Sequence, residues 1–199
     1  MAGKFYAVRI GRTPGIYMSW EDCRKMVDGY PKAEYKSFKT EEEAFSYLHP
    51  KEDIYASEKE DITEDYAYVD GSYNAVTKTY GYGGFLVHGG REYVLQGSGN
   101  EEEMASMRNV AGEVCGSMAA IAKAVELGMK ELTILYDYMG IEMWARGDWK
   151  TNKQGTKAYA EYVASVKDSI RLRFVKVEAH TGIEGNERAD MLAKEAVGL

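Results

Sequence analysis

The sequence predicts two α/β units in tandem, a small one in front and a mixed five-stranded sheet flanked by helices behind it. From Tyr66 the chain offers three consecutive strand-like runs and then alternates helical and strand-like stretches, which is the pattern of a mixed sheet. Residues 1–49 carry their own set of strand, turn and helix-cap signals. Residues 50–65 are charged, lack periodicity and hold no long apolar cluster, as a solvated linker does. The expected boundaries are therefore 1–49, 50–65 and 66–199.

The front unit reads β-turn-β-α-β-α. Phe5–Ile10 alternates like a half-buried strand, and Gly11–Gly15 supplies a turn with Pro14-Gly15. Ser19 with Asp22 has the spacing of a capping box and opens a short helix to Asp28, which Gly29 and Pro31 close. Tyr35–Phe38 is a further strand, and Thr40 with Glu43 opens a second helix through Leu48.

In the second unit, Tyr66–Asp70, Tyr82–His88 and Glu92–Gly97 read as strands, the last two joined at Gly89-Gly90. Val114, Met118, Ile121 and Val125 repeat at helical spacing, and Gly128 ends that helix. Leu132–Asp137 is a strand and Met139–Ala145 a short helix. Tyr159, Tyr162, Val163 and Val166 mark another helix, Leu172–Val177 the fifth strand and Asn186–Val197 a closing helix, with Asn186 as its cap.

No apolar run approaches the length of a membrane span, and Met1-Ala2-Gly3-Lys4 leads straight into a strand, so no membrane association is expected. Cys23 and Cys115 fall on helices of different units and read as reduced structural residues, which fits a cytoplasmic location. The net charge is −7, but it is unevenly spread. Residues 1–49 hold 8 Lys+Arg against 7 Asp+Glu, residues 50–65 hold 2 against 7, and residues 66–199 hold 15 against 18. Basic charge is concentrated at the front, where a modest patch suffices for local, salt-dependent attraction to phosphates.

Four acids stand where a carboxylate makes poor structural sense. Asp70 and Asp137 end apolar strand-like runs, while Glu113 and Asp190 lie on helical stretches. Singly, Asp70 before Gly71-Ser72 fits a turn and Glu113 fits the acid-favouring start of a helix. Strand ends and adjacent helices converge at one edge of an α/β sheet, where such folds bind ligands. Carboxylates crowded there repel one another unless a cation offsets them, and hard oxygen donors select Mg²⁺ or Mn²⁺. The expectation is metal-dependent phosphoryl-transfer chemistry.

The residues around these acids sharpen it. Asp70-Gly71-Ser72, the helix-borne Glu113, Asp137 after its strand, and His180-Thr181-Gly182-Ile183-Glu184-Gly185-Asn186-Glu187-Arg188-Ala189-Asp190 resemble type 1 ribonuclease H in order and spacing, over roughly residues 65 to 197. At the front, Phe5–Arg12, Pro14-Gly15-Ile16-Tyr17, Trp20, Cys23 and Tyr35-Lys36-Ser37-Phe38 resemble the small hybrid-binding domain that precedes many ribonucleases H and also occurs in viroplasmins.

The resemblance implies an endoribonuclease that hydrolyses the RNA strand of RNA–DNA hybrids and leaves 5′-phosphate and 3′-hydroxyl ends. It implies two Mg²⁺ ions per site, with Mn²⁺ as substitute. Asp70 would touch both ions, Glu113 and Asp137 would complete one shell and Asp190 the other, and His180 would assist proton transfer or product release. It places Asn74 and Asn109 near the minor groove and puts Val110 where many relatives carry Gln. In the front unit Tyr6, Trp20 and Tyr35 would lie against DNA sugars and Lys36 at a phosphate or minor-groove contact, with Ser37 replacing a common Lys. The expected partner is the RNA–DNA hybrid, with double-stranded RNA as a further ligand of the front unit; no obligate protein partner is evident. Two alternatives stay open, a binding protein with an inactive nuclease fold and a nuclease of the same fold with another duplex as substrate.

Overall fold

The computed structural model describes residues 4–48, 65–177 and 184–199. The chain divides into two compact units, Met1–Lys59 and Glu60–Leu199.

In the first unit, strands β1 (Phe5–Ile10), β2 (Gly15–Tyr17) and β3 (Glu34–Phe38) form an antiparallel sheet in the order β2-β1-β3. Helix α1 (Trp20–Val27) begins where the sequence asks, because the Ser19 hydroxyl accepts from the Asp22 amide at 3.1 Å and donates to its carboxylate at 2.8 Å. Helix α2 (Glu41–Leu48) opens likewise, with Thr40 Oγ1 accepting from the Glu43 amide at 3.2 Å. Val8 packs with Cys23 and Val27 of α1 in a small core. Since successive strand residues face opposite sides, the buried Ala7 lies on the other face, where α2 packs on β1.

The second unit is the expected mixed sheet. Strands β4 (Tyr66–Asn74), β5 (Thr79–His88) and β6 (Arg91–Gly99) form an antiparallel meander. After the short helix α3 (Glu102–Ala105) and the long helix α4 (Asn109–Glu126) comes β7 (Glu131–Tyr136), parallel to β4. Helices α5 (Gly140–Arg146) and α6 (Gln154–Val166) lead to β8 (Arg171–Lys176), and α7 (Glu184–Ala196) closes the chain. The sheet order is β6-β5-β4-β7-β8. Leu132 to Tyr136 of β7 are all buried, as a parallel strand covered on both faces requires. Gly89 and Gly90, both with positive φ (58° and 73°), form the two-residue hairpin turn between β5 and β6.

Some boundaries differ from the sequence expectation. Strand β4 runs four residues beyond Asp70, so Asp70-Gly71-Ser72 is strand and not turn. Its pairing with β7 stops at Tyr68, whereas its pairing with β5 continues to Asn74. Asp70 therefore lies where β4 has left β7 but still holds β5. The glycines here are strand-compatible because helix backbones press on them from both faces. A Cβ on Gly71 would overlap Asn109 O and Glu113 N of α4, and a Cβ on Gly83 would overlap Ala189 O and Ala193 N of α7. Helix α3 was not legible in the sequence. Helix α7 starts two residues before Asn186, which is thus inside the first turn and buried rather than a cap.

Candidate active site

Asp70, Glu113 and Asp137 each offer an oxygen within 4.8 Å of the others. Three different elements bring them there. Asp70 stands on β4 opposite Gly83, Asp137 follows the last residue of β7, and Glu113 projects from the second turn of α4. The overlap that Gly71 avoids lets the α4 backbone rest on β4 and carries Glu113 to Asp70. Gly112 makes the same approach from the helix side, since a Cβ there would overlap Gly81 O.

The group is mostly desolvated. Asp70 is 8% exposed and Glu113 4%. One Asp70 oxygen accepts from the Gly71 amide at 2.7 Å, while Glu113 Oε2 is buried with no hydrogen-bond partner. Burial, and then the charge of Asp137, push the Asp70 carboxyl up to about 6. Burial followed by the charges of Asp70 and Asp137 raises Glu113 well above the ordinary range. Three hard oxygen donors, one of them orphaned, in a site that disfavours its own charge fit a divalent cation.

Asp190 is close enough for its charge to raise Asp70, yet it is not a member of the three-carboxylate group. Its Oδ2 is taken by Lys194 Nζ, one turn further along α7, at 2.6 Å. His180 lies outside the described residues.

In the front unit, Trp20 stacks between Tyr6 and Tyr35, with ring centroids 5.7 and 5.8 Å apart. Trp20 and Tyr35 are each 44% exposed, and Tyr6 is half-buried against the Val8 core. Lys36 does not join this row. It pairs with Ala7 across β1 and therefore faces the α2 side, its Nζ 5.5 Å from the Phe38 ring. Ser37 lies opposite Tyr6.

The family profile for RNase H matches residues 63–198, and that for the Ribonuclease H1 N-terminal domain matches residues 4–48. The chain belongs to the ribonuclease H family. Human Ribonuclease H1 is 25% identical across 97% of this chain and 89% of its own. A Ribonuclease H of Saccharomyces cerevisiae is 54% identical over 46 residues, 23% of this chain and 13% of the relative. A solved structure, LC11-RNase H1 in complex with RNA/DNA hybrid, superposes with a TM-score of 0.52 at 16% identity over 66% of this chain and 98% of that one, which bears on fold.

Within this ribonuclease H, the two asparagines singled out from sequence differ. Asn74 is buried and its amide is committed internally: Nδ2 donates to Val197 O at 3.0 Å, and Oδ1 accepts from the amides of Val76 and Thr77 at 3.0 and 3.2 Å. Its side chain closes the β4–β5 turn, leaving nearby backbone for any substrate contact. Asn109 is exposed at the first turn of α4, beside the half-buried Val110. Sequence reasoning missed Lys194, although an i,i+4 Asp–Lys pair on a helix is a readable signal. It also missed Gly71, Gly83 and Gly112, where glycine inside strand and helix patterns signals close backbone approach.

Proposed function

We propose that this ribonuclease H cleaves the RNA strand of RNA–DNA hybrids as an endonuclease, leaving 5′-phosphate and 3′-hydroxyl ends. The observation that carries the proposal is the three-carboxylate group of Asp70, Glu113 and Asp137 with its orphaned Glu113 oxygen. Similarity to human Ribonuclease H1 across 97% of this chain and the hybrid-bound fold relative support the choice of substrate.

Asp70 would be shared by two ions, with Glu113 and Asp137 helping to hold one and Asp190 the other. Two divalent ions, Mg²⁺ or in substitution Mn²⁺, supply a lowered water pKa and offset of charge on the leaving oxygen when bound. The chain's own part is to hold these donors in register, with Lys194 offsetting the Asp190 charge in the metal-free site. His180 takes the role of moving a proton at the leaving group or easing product release.

The front unit presents Tyr6, Trp20 and Tyr35 as a stacking platform for DNA sugars, since a row of exposed aromatic faces binds nucleic acid without needing a particular base. Lys36 adds a cation at the edge strand β3, and the same unit takes double-stranded RNA as a secondary ligand. Asn109 and the backbone about Asn74 face the minor groove, where the 2′-hydroxyl distinguishes RNA from DNA. Cys23 and Cys115 are unbridged, in keeping with a reducing cytoplasm, and no helix among the described residues is long and apolar enough to cross a membrane.

The deciding experiment is Mg²⁺-dependent cleavage of end-labelled RNA–DNA hybrid beside RNA–RNA and DNA–DNA duplexes, with Asp70→Asn as the blank. Cutting confined to the RNA strand of the hybrid is the expected result. Tight hybrid binding with no cutting in either metal would mean a binding protein instead.

A further inference from the structure

Asp137 stands between two tyrosines that are both tied back to α5, and we infer that Tyr136 and Glu142 are positioning residues that set where the Asp137 carboxylate sits. The inference rests on the metal-site reading above, in which Asp137 is a ligand.

Tyr136 is the last residue of β7 and is fully buried. Its carbonyl accepts from the Val177 amide at 2.8 Å and its ring meets Phe174 nearly edge-on at 6.3 Å, so the backbone before Asp137 is pinned to β8. The Tyr136 hydroxyl then donates to Glu142 Oε2, in the first turn of α5, at 2.5 Å. The other Glu142 oxygen, Oε1, is held by Arg146 at 2.5 Å. The Tyr136–Glu142 bond therefore spans Asp137 and the four residues after it.

Tyr138, on the other side of Asp137, folds onto the same helix. Its ring is 5.8 Å from that of Trp144, and it lies so close to Gly140 that a Cβ there would overlap both rings. Helix α5 has no side-chain cap at Met139, and its start is fastened by tyrosines instead. Tyr159 of α6 donates to Ile141 O at 3.1 Å, and Tyr136 donates to Glu142. Arg146 also pairs the Glu142 charge, so that this carboxylate does not add to the repulsion among Asp70, Glu113 and Asp137. A short connection that would otherwise sample many conformations is held in one, and a preorganised ligand binds its ion more tightly.

The test is calorimetric Mn²⁺ binding to the full chain without substrate, beside Mg²⁺ titration of hybrid cleavage. Tyr136→Phe, which removes one hydroxyl, should weaken Mn²⁺ binding about tenfold, the low end for groups that orient a ligand. The Mg²⁺ needed for half-maximal cleavage should rise by the same factor, with kcat at saturating Mg²⁺ close to wild type. Glu142→Gln keeps an acceptor for the Tyr136 hydroxyl and should bind Mn²⁺ as the wild type does. Glu142→Ala deletes the same bond from the helix side and should repeat the Tyr136→Phe loss, which keeps the test open if Tyr136→Phe fails to fold. Unchanged Mn²⁺ affinity in Tyr136→Phe or Glu142→Ala, even with a lowered melting temperature, would overturn the assignment. Wild-type Mn²⁺ binding by Asp137→Asn would instead overturn the metal-site reading beneath it.

Discussion

Lys194 holds Asp190 by an ion pair of 2.6 Å on successive turns of α7, and both lie close enough to Asp70 to interact with its charge. The ammonium thus brings positive charge to the edge of the acidic group. Asp190 raises the Lys194 pKa, first through their hydrogen bond and then through its charge, so the pair is formed at neutral pH. Lys194→Met removes this competing cation. Divalent-ion affinity of the substrate-free protein should rise by about 1 kcal/mol, roughly fivefold, as measured by Mn²⁺ calorimetry at low salt. Unchanged or weaker binding would show that Lys194 does not offset the site.

Asp70 makes the metal-free protein pH-sensitive. Its folded pKa, about 6, is above the ordinary 3.8, so the folded state holds the proton more tightly than the unfolded chain. Stability from this group is present below pH 4, declines as pH rises through 6, and is absent above that. Asp70→Asn should therefore raise the melting temperature of the metal-free protein at neutral pH, reflecting on the order of 2 kcal/mol, while abolishing cleavage. Added Mg²⁺ should stabilise the wild type and leave the variant nearly unmoved, which a pair of melting curves would check.

Gly71→Ala places a methyl group against the backbone of α4 at Asn109 and Glu113. Neither neighbour is a flexible side-chain end, so the helix must shift. A loss of about 1–3 kcal/mol in urea unfolding is expected, with a fall in Mn²⁺ affinity because Glu113 moves with the helix. Normal metal binding in a destabilised variant would separate packing from the site.

Trp20→Ala should weaken hybrid binding by about 1–3 kcal/mol and leave cleavage at saturating hybrid intact. Its ring is 44% exposed, so its removal should hardly change the melting temperature. An unfolded front unit would show that the ring is a core element.

Much of this was legible from residue order. The apolar run of β7 and the helical spacing of α4 announced a mixed sheet, and Ser19 and Thr40 marked the starts of α1 and α2. The close approach of Asp70, Glu113 and Asp137 is the arrangement that strand ends and a flanking helix suggested. Strand length was not legible, because Gly71 and Gly81 have low strand propensity and are strand only through tertiary contact. Asn186 looked like a cap because capping is a local pattern, whereas the start of α7 two residues earlier, at Glu184, is not marked locally. The resemblance gave Lys36 a contact of its own, apart from the aromatic row, and strand alternation places it on the face opposite Tyr35.

The glycine contacts on the two faces of the sheet have an evolutionary corollary. At Gly71 and Gly83 the separation between sheet and helix is set by main-chain atoms in direct contact, not by side-chain volume. Substitutions elsewhere in the interior can accumulate without altering how far Glu113 and Asp190 stand from Asp70. Sequence drift of the extent that separates this chain from the human protein, 25% identical, would leave that spacing intact for as long as these glycines are kept.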